Sequence, residues 1–140
     1  MIVPVLLITP SEGFGELIRL TLEDDGEYHV DTFSRGRAAL AHAKTHPYAI
    51  TILDADTRDL PLLEIGRDLQ TLQPDLRLIL IPPENGVLDP SFASLEPWGY
   101  LTKPFYLPNL LTTVEAVRGG TRVPLPAPEP APPTAPAAPA

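Results

Sequence analysis

The stretch AITILDADTRDLP, residues 49 to 61, decides how the chain is read. Ala49 to Leu53 form an apolar, β-branched run suited to a strand buried on both faces. The run stops at Asp54, an acidic loop follows, and Pro61 can open a helix in which Leu62, Ile65, Leu69 and Leu72 recur at helical spacing. A buried strand, a loop carrying acids at its carboxyl end and a helix make one β-α unit. The same unit can be sought on either side.

Upstream, VPVLLIT at 3–9 is a second run of the buried-strand type. A helix is expected from Glu12 to Glu23, with Phe14, Leu17, Ile18 and Leu22 on its apolar face. YHVDTF at 28–33 is a weaker strand suited to a sheet edge, and Ser34 is the expected N-cap of a helix through Leu40 to Lys44, ended by Pro47. Downstream, LRLILI at 76–81 is a strand closed by Pro82 and Pro83. Asp89 and Pro90 offer an N-cap and first position for a short helix, and GYLT at 99–102 gives a fifth strand. The last helix starts near Pro108, buries Leu110, Leu111, Val114 and Val117, and stops at Gly119-Gly120. Trp98 and Phe92 are expected to cover the sheet.

Five β-α units imply an α/β fold, a doubly wound parallel sheet with helices on both faces. Sites in such folds lie at the carboxyl ends of the strands. In this chain those ends read ITPSE, LDAD, IPPEN and LTKPF.

Composition narrows the function. The 140 residues include no cysteine, so disulfides and thiol chemistry are excluded, and a reducing, cytoplasmic setting fits. With 10 basic and 18 acidic residues, the net charge of −8 argues against nucleic-acid binding through phosphates. No apolar stretch reaches the roughly 18 residues of a membrane span, and the N-terminus lacks the basic region of a signal peptide. Residues 1–120 read as one domain. Residues 121–140, TRVPLPAPEPAPPTAPAAPA, are rich in Pro and Ala and read as an extended linker leading to an output domain, or as a disordered tail.

The element order, Asp54 at the end of the third strand and YLTKPF at 100–105 together resemble a response-regulator receiver domain over residues 3–118. The resemblance implies a flavodoxin-like three-layer sandwich with strand order 2-1-3-4-5. It implies that Asp54 holds the position of the phosphoacceptor served by a histidine kinase. Lys103 holds that of the ammonium touching the phosphoryl group, beside Pro104, and Tyr100 that of the switch aromatic.

The chain also departs from the pattern. Thr9 and Pro10 stand where receivers carry two acids that help hold Mg²⁺. Pro82 stands where a Ser or Thr hydroxyl is usual, and Pro83 has no N–H to offer. The usual pocket of three carboxylates and one ammonium is reduced to Asp54 and Lys103, whose charges sum to about zero. An ion pair between them is expected, without metal and without any cofactor. Glu12 and Asp56 are the residues that could bring a replacement oxygen to a cation, Mg²⁺ being required only if phosphorylation is retained.

Other features carry less. His42 and His46 share a helix face but have no evident third metal ligand. SEGFGE at 11–16 matches neither dinucleotide nor phosphate-loop patterns, and no base accompanies Thr9 or Ser11, so no enzyme activity is expected. The reading is a pseudo-receiver: a signalling module of a two-component or phosphorelay protein that acts through protein partners, a histidine kinase or an output domain. Homodimerisation is expected through the face of the short fourth helix, fifth strand and last helix, around Tyr100 and residues 106–117. The alternatives are a working phosphoacceptor on Asp54 and a domain that holds a small neutral ligand at the strand ends.

Overall fold

The computed structural model describes residues 2–24, 26–83, 90–101 and 107–123. Five strands, β1 (Val3–Ile8), β2 (Tyr28–Phe33), β3 (Ile50–Asp54), β4 (Arg77–Ile81) and β5 (Gly99–Tyr100), form one sheet. Every pairing is parallel and the order is β2-β1-β3-β4-β5. The helices are α1 (Glu12–Glu23), α2 (Gly36–Ala43), α3 (Leu62–Leu72) and α4 (Leu107–Arg118), with a 3-10 turn at Pro90–Leu95. This is the doubly wound, flavodoxin-like sandwich of the sequence reading.

Period-two alternation sorts the side chains of the central strands into two cores. Val5, Leu7, Ile50, Ile52, Ile79 and Ile81 pack with Ile18 and Leu22 of α1 and with Leu110, Val114 and Val117 of α4. Leu6, Ile8, Leu53, Leu78 and Leu80 face the other way, onto α2, α3 and Leu95. Edge strand β2 buries Tyr28 and Val30 but exposes His29 and Thr32, as a one-sided strand should.

Several expectations need correcting. Leu17 and Leu72 do not face the core: they are 46% and 40% exposed. In α1 it is Gly15, not Leu17, that joins Ile18 and Leu22 against the sheet. Ser34 does not cap α2; the N-cap position is Arg35, which makes no side-chain cap bond. The carboxylate of Asp59 does the work from the loop after β3, accepting from the N–H groups of Gly36 at 2.8 Å and Arg37 at 2.9 Å. Glycine is required at 36 by proximity, since a Cβ there would lie 2.3 Å from Cδ1 of Ile65 in α3. The helix proposed for 89–98 is only the 3-10 turn, and Asp89 lies outside the described residues. Phe92 and Trp98 are half-buried against the two cores.

Helix α4 ends in a Schellman motif. Gly120, at φ +93°, donates to Val117 O at 3.0 Å, and Thr121 N–H reaches Ala116 O at 2.8 Å. The chain stays on the body past Gly120. Val123 N–H donates to Trp98 O at 2.7 Å, and Arg122 donates to the carbonyls of Glu96 and Pro97. Two guanidinium groups lie over the Trp98 ring, Arg122 at 4.2 Å and Arg77 at 4.6 Å from its centroid. Residues 124–140 of the Pro/Ala segment lie outside the described residues.

Candidate functional site at the strand ends

Parallel pairing places Ile8 beside Leu53 and Asp54 beside Ile81. The next residue of the first strand's path, Thr9, is thereby set next to Asp54. Both are buried, Thr9 at 3% exposure and Asp54 at 0%. The Thr9 hydroxyl donates to Asp54 Oδ2 at 2.7 Å, and the Asp56 amide donates to Oδ1 at 2.9 Å. The short distance is that of a charge-assisted bond to a carboxylate. Thr9 is itself fixed: its N–H donates to Phe33 O at 3.0 Å, and its Oγ1 accepts weakly from Ser11 N–H at 3.3 Å. Ser11 then caps α1 by accepting from Phe14 N–H at 3.3 Å.

The other sequence-selected residues fall around this pair. Pro10 and Glu12 are exposed, and Glu12 sits in the first turn of α1. Glu12 lines a cleft of about 320 Å³ with Thr9, Gly15 and Phe33, between the ends of β1 and β2. Asp56 supplies its backbone N–H to Asp54 and lines a second cleft, of about 460 Å³, with Thr57, Arg58 and Pro83. Pro82 is buried and Pro83 half-buried at the end of β4, where neither has an N–H to aim at the cleft. Tyr100 is half-buried in the core on the α2–α3 side, and burial pushes its phenol above the ordinary value. Lys103 and Pro104, and with them the expected ion pair to Asp54, lie outside the described residues.

One residue escaped the sequence reading altogether. The Thr57 hydroxyl, on a side chain 4% exposed, has no hydrogen-bond partner among the described residues. Nothing in the local sequence marks it, because its burial comes from the path of the loop. The Thr9–Asp54 bond was more accessible: once parallel strands one and three are paired, residue 9 must neighbour residue 54.

The described residues at the strand ends make a poor fit to a Mg²⁺ ion. Such an ion wants one or two carboxylates in near-octahedral array, but both Asp54 oxygens already accept hydrogen bonds and Thr9 offers a donor where an acid would be needed. Among the described residues no three His, Cys, Asp or Glu side chains gather in a way that could hold a metal. His42 and His46 instead stack on each other at 3.8 Å, and His42 Nε2 lies 3.6 Å from Asp31. No helix among the described residues is long and apolar enough to cross a membrane.

No family model matches the chain. It is 26% identical over 112 residues to the response regulator receiver protein CpdR of Brucella abortus, covering 79% of this chain and 92% of that one. It is also 26% identical over 123 residues to the probable transcriptional regulatory protein TcrX of Mycobacterium tuberculosis, covering 86% of this chain but 52% of that protein. Among solved structures, the chemotaxis response regulator CheY4 of Vibrio cholerae superposes with a TM-score of 0.73 at 23% identity, over 84% of this chain and 99% of that one. The fold is therefore that of the CheY-like receivers, and in sequence the chain is similar to these response-regulator proteins.

Proposed function

We propose that this chain is a receiver-like signalling module of a two-component or phosphorelay protein that works through protein contacts, without the usual Mg²⁺-dependent phosphorylation. The observation that carries this reading is the 2.7 Å bond from the Thr9 hydroxyl to Asp54. Where a working pocket needs a second carboxylate to share a divalent ion, this chain supplies a hydrogen-bond donor. With the Asp56 N–H on the other oxygen, that donor gives each oxygen of Asp54 a hydrogen bond. Lys103 would complete the neutralisation as an ion-pair partner, making Asp54 a structural acid in a phosphoacceptor's position. The partners are a histidine kinase or an output domain. The face around Tyr100 and α4 is offered for their contact or for homodimerisation.

A second reading keeps Asp54 as a phosphoacceptor, with Glu12 or Asp56 helping to hold Mg²⁺. The two clefts beside the strand ends favour it, since they leave room for a small phosphodonor. Incubation with acetyl phosphate, with and without Mg²⁺ and beside Asp54→Asn, separates the two readings by intact mass. The proposal expects no mass gain in a folded protein. A Mg²⁺-dependent gain of one phosphoryl group, absent from Asp54→Asn, would overturn it.

A further inference from the structure

We propose that the groove between α2 and α3 is a contact through which two copies of this chain pair. The groove has a volume of about 420 Å³ and an apolar floor of Leu40, Ala41, Leu60 and the 40%-exposed Leu72. Its walls carry opposite charge: Arg37 and Lys44 on the α2 side, Glu64 and Asp68 on α3. None of these four side chains makes an ion pair with a described residue. A groove with an apolar floor, one cationic wall and one anionic wall is complementary to itself.

The charge pattern selects one arrangement. Both helices follow parallel strands and begin at the same end of the sheet, where Asp59, just before α3, holds the first turn of α2. They therefore run side by side in the same direction. A twofold axis lying in the contact plane and running along the helices lays α2 of one copy over α3 of the other. Arg37 is the second residue of α2 and Glu64 the third of α3, so their levels differ by about 1.5 Å at the helical rise. Lys44 and Asp68 differ by about 3 Å on the same count, within reach of a flexible side chain. The contact is isologous, so each pairing occurs twice. Turning the axis across the helices instead sets α2 on α2, cation against cation, which is disfavoured.

Helices of 8 and 11 residues give a face only about 12 to 16 Å long. The contact belongs with small, transient interfaces rather than obligate ones. It does not depend on whether Asp54 is phosphorylated.

Sedimentation equilibrium on the full chain, from about 10 μM to about 1 mM, tests the pairing in the affinity range of weak interfaces. The wild type should show reversible dimer formation. Lys44→Glu and Asp68→Lys should each raise the dissociation constant at least about tenfold, through repulsion across the contact. The double variant, and an equimolar mixture of the two single variants, should return to within about threefold of wild type. Asp24→Lys, exposed at the end of α1 on the other face of the sheet, should leave the equilibrium unchanged, and circular dichroism should show every variant folded. A wild type that stays monomeric throughout the range overturns the proposal, as does dissociation by Asp24→Lys alone. Failure of the charge swap to restore pairing also overturns it.

Discussion

Thr9 Oγ1 and Asp54 Oδ2 lie 2.7 Å apart across 45 residues of sequence, both sealed from solvent. The bond ties the end of β1 to the end of β3, and it leaves the buried carboxylate with a donor on each oxygen. Thr9→Val keeps the shape and removes the donor. A hydrogen bond to a charged, buried group is worth about 1.5 to 3 kcal/mol, so urea denaturation should show a loss of that order. A loss below about 0.5 kcal/mol would mean that the carboxylate is satisfied without Thr9.

Asp59 should matter to α2 from outside it. Asp59→Ala strips two N–H groups of their acceptor, and a lost cap costs about 0.5 to 2 kcal/mol. The effect carries a pH signature. Burial pushes the Asp59 carboxyl up, but the N–H groups of Arg37 and Gly36 and the charge of Arg35 outweigh it, and the net shift is downward. A depressed folded-state value contributes stability above the unfolded carboxylate range, lost as pH falls through the folded value. The stability gap between wild type and Asp59→Ala should therefore close in acid, and a gap that persists there would rule out the carboxylate as its source.

The alkaline side is governed by tyrosines. Burial, then the hydrogen bond its hydroxyl donates to Asp31 at 2.6 Å, then that acid's charge, raise Tyr48 far above the ordinary phenol range. Tyr28 and Tyr100 are raised chiefly by burial. For a raised phenol the unfolded chain ionises first, so stability holds below the unfolded value, about 10, and falls as pH rises through and beyond it. Tyr48→Phe should flatten that alkaline fall while losing about 1 kcal/mol at neutral pH. Thermal melts between pH 8 and pH 11 compare the two slopes, and equal slopes would refute the assignment to Tyr48.

Trp98 is the chain's one tryptophan, and Arg77 and Arg122 both lie over its ring. Arg122→Ala removes one of these groups from the ring and frees the carbonyls of Glu96 and Pro97. Its emission should move to longer wavelength and tryptic cleavage after Arg118 should quicken, with a stability loss near 1 kcal/mol. Unchanged emission would place the indole's protection elsewhere.

Much of the fold was legible because β1, β3 and β4 are buried on both faces, and such strands advertise themselves as unbroken apolar runs. Asp54 was legible for the same reason, at the end of such a run, whereas Tyr100, in a two-residue strand, was singled out by the receiver resemblance alone. What stayed hidden was set by neighbours distant in sequence. Leu17 looks like a core residue by spacing, but the sheet lies along Gly15, Ile18 and Leu22 instead. Ser34 has a capping residue's chemistry, yet Asp59 reaches the helix start first. Thr57 is buried by a loop's path, which no local pattern records.

The dependence of α2 on Asp59 also sets an order of assembly. An eight-residue helix cannot stand alone in water, and α2's first turn is completed by a side chain more than 20 residues downstream. A chain leaving the ribosome delivers α2 before the residue that finishes it. The helix must wait, unclosed, while β3 and its loop are made. The second and third β-α units should therefore mature together, so that synthesis past Asp59, rather than past Ala43, is the step that commits this half of the molecule to its native shape.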